Sequence, residues 1–165
     1  MPLKSIVAVV GTGDNIEPAI TNARKLGELI SQENWVVMSG GRDAGVMKAV
    51  NEGAKRANKE CITVGIIPTA ESQISPSVDI AIITDMNNAR NNIIGLSGNV
   101  LVACGVDGPG TASEIALALK NGKKVILLGV DAAGVEFFQR LDKRDVLTAS
   151  SPQDAINLIK SNKLC

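Results

Sequence analysis

Short apolar runs rich in valine and isoleucine alternate along the chain with stretches whose apolar residues recur at helical spacing. This alternation predicts an α/β fold, a mostly parallel sheet of about six to seven strands with helices on both faces. The runs are nearly continuous in apolar character, as expected of strands that are covered on both faces. The predicted strands are Ile6–Val10, Trp35–Ser39, Ile62–Ile67, Ile80–Thr84, Val100–Cys104, Val125–Leu128 and Asp145–Thr148.

The helical stretches fall between these strands. The first begins at about Pro18, the second at about Gly45 and the fourth at about Thr111, whereas the third carries Ile93 and Ile94. Two more are predicted at 134–141 and 152–161. A length of 165 residues without a linker or repeat predicts one Rossmann-like domain over residues 1–165. The irregular, proline-containing connection 68–78 is expected to form a surface loop over a site.

The composition argues against several classes of function. The chain has no histidine and no tyrosine, which rules out a Ser-His-Asp triad, a histidine base and nearly every histidine-containing metal site. Its three cysteines show no paired spacing, so we expect no metal site and no disulfide framework. Seventeen basic and seventeen acidic residues cancel without a basic block, which disfavours nucleic acid or a membrane surface as partner. No signal peptide or membrane span is predicted, so we expect a cytoplasmic protein.

Glycine-containing turns follow four of the predicted strands, at the edge of the sheet where ligands bind in such folds. In the first turn, Gly11, Thr12 and Gly13 resemble the start of a dinucleotide fingerprint. However, Ile16 stands in place of its third glycine, and the second strand does not end in an acidic residue. A nicotinamide or flavin dinucleotide is therefore not expected, although the backbone can still approach some ligand closely.

The second turn, "SGGRDAGVM", precedes a predicted helix. Glycines at a helix N-terminus leave amide groups free to face an anion, the helix dipole adds about half a positive charge, and Arg42 adds a bidentate donor. The alternative is a tight turn with a solvated arginine. The candidate site residues of this turn are Gly40, Gly41, Arg42, Gly45, Val46 and Met47.

The third and fourth turns complete the predicted site. Arg90 begins a helix, where it either serves the site or pairs with a surface carboxylate. The fourth turn, "CGVDGPGTASE", contributes Gly108, Pro109, Gly110, Thr111 and Glu114. Because Thr-x-x-Glu is a capping box, we expect Thr111 and Glu114 to cap their helix, and we expect no catalytic role for Glu114. Together the four turns predict a cleft for a small, anionic, phosphate-bearing molecule.

The chain resembles the lysine-decarboxylase-like superfamily in "SGGRDAGVM", "GAKRANKECITVGIIP" and "ARNNIIGLSGNVLVACGVDGPGTASEIALALKNGKKVILLG". The likeness runs from residue 6 to about residue 141. Within that superfamily it is most similar to the molybdenum cofactor carrier proteins and their bacterial relatives. The resemblance implies a Rossmann-like fold and a homo-oligomer, with a tetramer favoured over a dimer. It also implies that the site residues above bind the pterin-based molybdenum cofactor for delivery to molybdoenzymes such as nitrate reductase.

The resemblance leaves a second function open, because the LOG-like members of the superfamily are nucleoside-monophosphate phosphoribohydrolases. Those enzymes carry a P-G-G-x-G-T-x-x-E motif and an upstream arginine that is usually followed by lysine. The matching positions here are Arg90, Thr111 and Glu114. In that alternative, Arg90 fixes the phosphate and Glu114 stabilises the transition state or activates water. Val106 and Asp107 replace the motif's proline and first glycine, and Asn91 replaces the lysine. The added negative charge and the lost positive charge favour the carrier over the hydrolase.

Overall fold

The computed structural model describes residues 3–165 and contains one seven-stranded sheet in which all neighbouring strands are parallel. The strands are β1 (Ile6–Gly11), β2 (Val36–Ser39), β3 (Thr63–Ile67), β4 (Ile80–Ile83), β5 (Val100–Cys104), β6 (Lys124–Leu128) and β7 (Val146–Ala149). Their order across the sheet is β4-β3-β2-β1-β5-β6-β7. The chain therefore progresses outward in opposite directions from β1 and β5, and this pair forms the topological switch point.

Helices cover both faces of the sheet, which confirms the predicted α/β, Rossmann-like class. The helices are α1 (Ala19–Gln32), α2 (Gly45–Ala57), α3 (Asn91–Ser97), α4 (Pro109–Lys120), α5 (Ala132–Leu141) and α6 (Pro152–Ser161). Helices α1, α2 and α6 form one apolar core with Val7 and Val9, and α3, α4 and α5 form the other with Ala8 and Val10. Successive residues of β1 thus serve opposite layers, as the two-residue period of a strand requires.

Two helices begin earlier than their sequence patterns predict. Helix α4 begins at Pro109 instead of Thr111, with extended Gly108 as its N-cap and proline in its first turn. Helix α5 begins at Ala132 instead of Gly134, because the side chain of Asp131 accepts a hydrogen bond from the Gly134 amide at 2.8 Å and caps it there. The shift in α4 changes the position of Glu114 in its helix.

Strand β4 contradicts the expectation that every strand is covered on both faces. Its isoleucines Ile80, Ile82 and Ile83 are 49%, 46% and 51% exposed, and Met86 just beyond the strand is 47% exposed. The strand lies at the edge of the sheet, and residues 68–79, which lead to it from β3, contain no helix that would cover it. An exposed apolar edge strand is a surface on which another chain can pack.

Among the residues that the structure describes, no helix combines the length and the apolar character needed to cross a bilayer.

Candidate functional site

A cavity of about 350 Å³ opens at the carboxyl ends of β1, β2 and β5. Its walls are the turn after β1, the turn between β2 and α2, the short 3-10 helix Asn87–Arg90 with the start of α3, and the β5–α4 turn. The cavity therefore lies at the switch point between β1 and β5, where open α/β sheets bind ligands. Its volume is within the range of small-molecule sites. We call it the first cavity.

Most of the residues predicted from sequence meet in this cavity. Those that line it are Gly11, Thr12, Gly13, Gly40, Arg42, Met47, Arg90, Gly108, Pro109, Gly110, Thr111 and Glu114. The cavity is also lined by residues that were not predicted as site residues, namely Val9, Val10, Asp14, Asn88, Asn91 and Asp107. The sequence did single out Asn91 and Asp107, because both depart from the hydrolase motif. Nothing in the sequence marks the strand residues Val9 and Val10.

Three predicted residues, Gly41, Gly45 and Val46, do not line the cavity but join its walls to each other. The Val46 amide donates to the Thr12 carbonyl at 2.9 Å. Gly45 has a φ of +51°, and a Cβ atom there would overlap the same carbonyl oxygen. Gly41 has a φ of +68° and packs against the backbone of Gly65. The turn after β1 thus packs against the N-terminus of α2 and accepts its Val46 amide. That this helix end faces an anion stays a prediction.

The N-terminus of α4 is the helix end that opens into the cavity. Its N-cap, Gly108, has no side chain to cap the helix, and Pro109 has no amide hydrogen. Within residues 3–165, the amides of Gly110 and Thr111 donate no hydrogen bond. These free amides and the positive end of the helix dipole suit an anion.

Arg90 is a buried arginine with a fixed position, since its side chain is only 8% exposed. Its Nη1 donates to the carbonyl oxygens of Gly40, at 2.8 Å, and Ile66. A Cβ atom on residue 40 would lie 2.5 Å from that nitrogen, so glycine is needed for the approach. Burial lowers the pKa of Arg90, whereas the neighbouring Glu114 opposes this change. The alternative that Arg90 pairs with a surface carboxylate is therefore wrong.

Arg42 supplies the second positive charge and, unlike Arg90, is exposed. A Cβ atom on Gly13 would lie 3.0 Å from its Nη2, which places the guanidinium beside the turn after β1. It forms no ion pair with any residue between 3 and 165. Its charge therefore remains available to a ligand in the cavity.

Glu114 does not cap its helix, which corrects the capping-box prediction. Because α4 begins at Pro109, Glu114 lies beyond the first turn, and no side chain caps this helix. Its side chain is 7% exposed and faces the first cavity. Burial raises the pKa of its carboxyl to about 7, although Arg90 and Arg42 both act to lower it. The cavity thus contains a carboxyl group that titrates near neutral pH.

Asn91 fastens the start of α3 to the first turn of α4. Its Nδ2 donates to Ser113 Oγ at 2.9 Å, and that hydroxyl donates to the Gly110 carbonyl at 2.7 Å. The residue that replaces the lysine of the hydrolase motif therefore positions the anion-binding helix end without adding charge.

The segment 68–78 lies beside the β2–α2 turn. The Ser75 amide donates to the Gly41 carbonyl at 2.9 Å, and the Asp43 amide donates to the Gln73 carbonyl at 3.0 Å. None of its residues lines the first cavity, so the expectation of a loop over the site is wrong. Within residues 3–165, no group of three or more acidic or cysteine side chains is placed to hold a metal ion.

Comparison with known proteins gives consistent results over almost the whole chain. The chain is similar to the structure of the molybdenum cofactor binding protein from Rippkaea orientalis, with 48% identity, a TM-score of 0.92 and coverage of 96% of this chain and 97% of that one. It is also similar to the molybdenum cofactor carrier protein from Chlamydomonas reinhardtii, with 44% identity, a TM-score of 0.89 and coverage of 96% and 98%. An uncharacterised protein of Archaeoglobus fulgidus is 36% identical over 160 residues, which is 96% of each chain. The model of the SLOG cluster4 family matches residues 4–156, and the chain belongs to this family.

Proposed function

We propose that this protein binds the molybdenum cofactor in the first cavity, protects it, and delivers it to molybdoenzymes such as nitrate reductase. The observation that carries the proposal is its likeness, over 96% of the chain, to two solved proteins described as binding or carrying this cofactor. The cofactor is cargo in this proposal, and the chain's own residues hold it without chemical change.

The contacts in the first cavity fit the phosphate end of this cargo. The free amides of Gly110 and Thr111 offer hydrogen-bond donors to an anion bound at the start of α4. Arg42 adds an accessible guanidinium, and Arg90 adds a fixed positive charge behind it. This set supplies backbone donors and charge without a covalent ligand, which suits a protein that must later release its cargo.

Glu114 and two exposed carboxylates also border the site, and they bear on its affinity for an anion. Because burial raises the pKa of Glu114 to about 7, this residue is largely protonated at about pH 6 and then does not repel a phosphate. Asp14 and Asp107 are exposed, so water screens their charge. We expect binding of modest strength that weakens as Glu114 ionises.

The second candidate function is hydrolysis of a nucleoside 5′-monophosphate. The specific observation in its favour is that Arg90 and Glu114 face the same cavity and that Glu114 has a pKa near 7, which suits general acid–base catalysis. Against it, Asn91 is a neutral residue where those enzymes usually have a lysine, and its amide is already bonded to Ser113. The carrier function is therefore our first proposal.

We also propose that the protein is a homo-oligomer assembled through β4 and acts in the cytoplasm. The exposed isoleucines of β4 support the assembly, since an exposed apolar edge strand tends to associate with another chain. We propose a tetramer rather than a dimer. Its cysteines are free, as is usual in a reducing compartment.

An anaerobic equilibrium titration with the molybdenum cofactor tests the carrier proposal, with a nucleoside monophosphate titrated in parallel. We expect saturable binding of the cofactor with a Kd on the order of micromolar and no free base released from the nucleotide. Arg42→Ala should weaken cofactor binding about tenfold or more. Arg56→Ala, which removes an exposed arginine at the far end of α2, is the matched control and should bind like wild type. Release of the base without cofactor binding would replace the carrier by the hydrolase.

A further inference from the structure

A second cavity of about 300 Å³ lies on the other side of the β5–α4 turn. Its walls are apolar side chains of that turn, of the β6–α5 turn and of α5, together with Asp107 and Asp131. Neither lysine nor arginine lines it. This chemistry is the opposite of that of the first cavity, where two arginines and a helix N-terminus favour an anion.

Asp107 lines both cavities and is the residue that they share. Its side chain makes no hydrogen bond or ion pair with any residue between 3 and 165, whereas Asp131 is engaged in capping α5. The turn holds this carboxylate close to its own backbone: Gly105 has a φ of +74°, and a Cβ atom there would lie 2.8 Å from Asp107 Oδ2. A carboxylate with two accepting oxygens thus stands between the cavities without a protein partner.

The far wall of the second cavity offers an aromatic surface. Phe137 is 47% exposed and meets Phe138 edge to face, with ring centroids 5.1 Å apart and an angle of 79° between the ring planes. Because Phe138 is buried, the exposed ring of Phe137 packs against a side chain of the core. A planar heterocycle can pack on such a surface, with Val106 and Val130 as further apolar contacts.

We propose that the second cavity takes a planar ring with a 2-amino-4-oxo edge, and that Asp107 accepts hydrogen bonds from the ring N–H and the 2-amino group. Two adjacent donors on one edge match the two oxygens of a carboxylate, as they do in a carboxylate–guanidinium pair. This inference rests on the proposed function and deepens it. The ligand lies across the β5–α4 turn, with its phosphate in the first cavity and its pterin in the second.

Pterin and guanine share this edge, and adenine lacks it. Three ligands therefore test the proposal by calorimetric titration: the molybdenum cofactor under anaerobic conditions, GMP and AMP. We expect wild type to bind GMP about tenfold more tightly than AMP, since AMP offers no paired donors to Asp107. Asp107→Asn should remove this preference and weaken cofactor binding about tenfold, because an amide presents a donor where an acceptor is needed.

Two further variants separate ring recognition from charge and from packing. Asp14→Asn removes a negative charge that also borders the first cavity, but it should leave the ratio of GMP to AMP affinity unchanged. Phe137→Ala should weaken GMP and AMP alike, because stacking is indifferent to the edge of the ring. Asp107 is exposed and unpaired, so Asp107→Asn should keep the wild-type Tm.

The outcomes distinguish this inference from the carrier function. Cofactor binding that is unaltered in Asp107→Asn, with an unchanged ratio of GMP to AMP affinity, overturns the inference and leaves the carrier standing. A preference for GMP that depends on Asp107, without cofactor binding, supports the ring site and refutes the carrier. Failure of all three ligands to bind overturns both.

Discussion

Replacement of Glu114 by glutamine should stabilise the protein by an amount that depends on pH. Burial raises the pKa of this carboxyl from 4.5 to about 7 in the folded protein. Between these values the folded protein keeps a proton that the unfolded chain has released, so wild type loses stability as the pH rises. Since one pKa unit corresponds to about 1.4 kcal/mol, the loss reaches about 3 kcal/mol above pH 7. Glutamine is neutral throughout and avoids this loss.

The assay is urea denaturation of wild type and Glu114→Gln at a series of values from about pH 4.5 to about pH 8.5. The difference in the free energy of unfolding should be near zero at the acidic end and should grow to about 3 kcal/mol above pH 7. Glu136→Gln is the matched control, because it removes an exposed glutamate from α5. Its curve should follow that of wild type.

Two results would refute the reasoning. A difference that does not vary with pH would mean that the proton of Glu114 is held equally well by the folded and unfolded chains. A variant that becomes less stable than wild type as the pH rises would mean that attraction by Arg90 and Arg42 outweighs burial. In either case Glu114 would be a permanent anion in the cavity, and our account of phosphate binding would fail.

Three other substitutions test the fold and the assembly. Gly45→Ala should lower the free energy of unfolding in urea by about 2–4 kcal/mol, because residue 45 has a positive φ and its Cβ atom would overlap the turn after β1. Gly122→Ala is the control: residue 122 has a φ of +69° but open space around it, so the loss should be only about 1 kcal/mol. Ile82→Asp should reduce the mass measured by light scattering below that of wild type, and Thr148→Asp on the opposite edge strand should leave it unchanged. Arg90→Ala should lower the free energy of unfolding by about 1–3 kcal/mol, because it removes the donor to two backbone carbonyls. Wild-type stability of this last variant would show that those hydrogen bonds are replaced by water.

The fold was predictable because apolar runs and helical stretches alternate along most of the chain, with one exception between β3 and β4. Strand β4 shows the limit of this signal. Its sequence, "IAII", is as apolar as that of a strand covered on both faces, and only the lack of a helix between β3 and β4 leaves it exposed. An apolar sequence indicates that its residues favour burial. It does not indicate whether they are buried by another part of the same chain or by a second chain.

The site was predictable where glycine patterns mark turns, but the roles of single side chains were not. Thr-x-x-Glu is a good capping box only if threonine precedes the helix, and Pro109 starts α4 before it. Proline's preference for the first helical position was the available signal, and it competed with the capping pattern. The long-range contacts that bury Arg90 against Gly40 and Ile66 involve residues far apart in sequence, so no local pattern indicates them.

The bond between the Val46 amide and the Thr12 carbonyl has a consequence for how cargo is exchanged. It joins the turn after β1 to the start of α2, so we expect these two walls of the first cavity to move together. Because these walls are joined, we expect the dissociation rate of a bound molecule to be set by its own contacts and by competing solvent. A recipient enzyme would then capture the ligand after it has left, and its concentration would not change the dissociation rate itself.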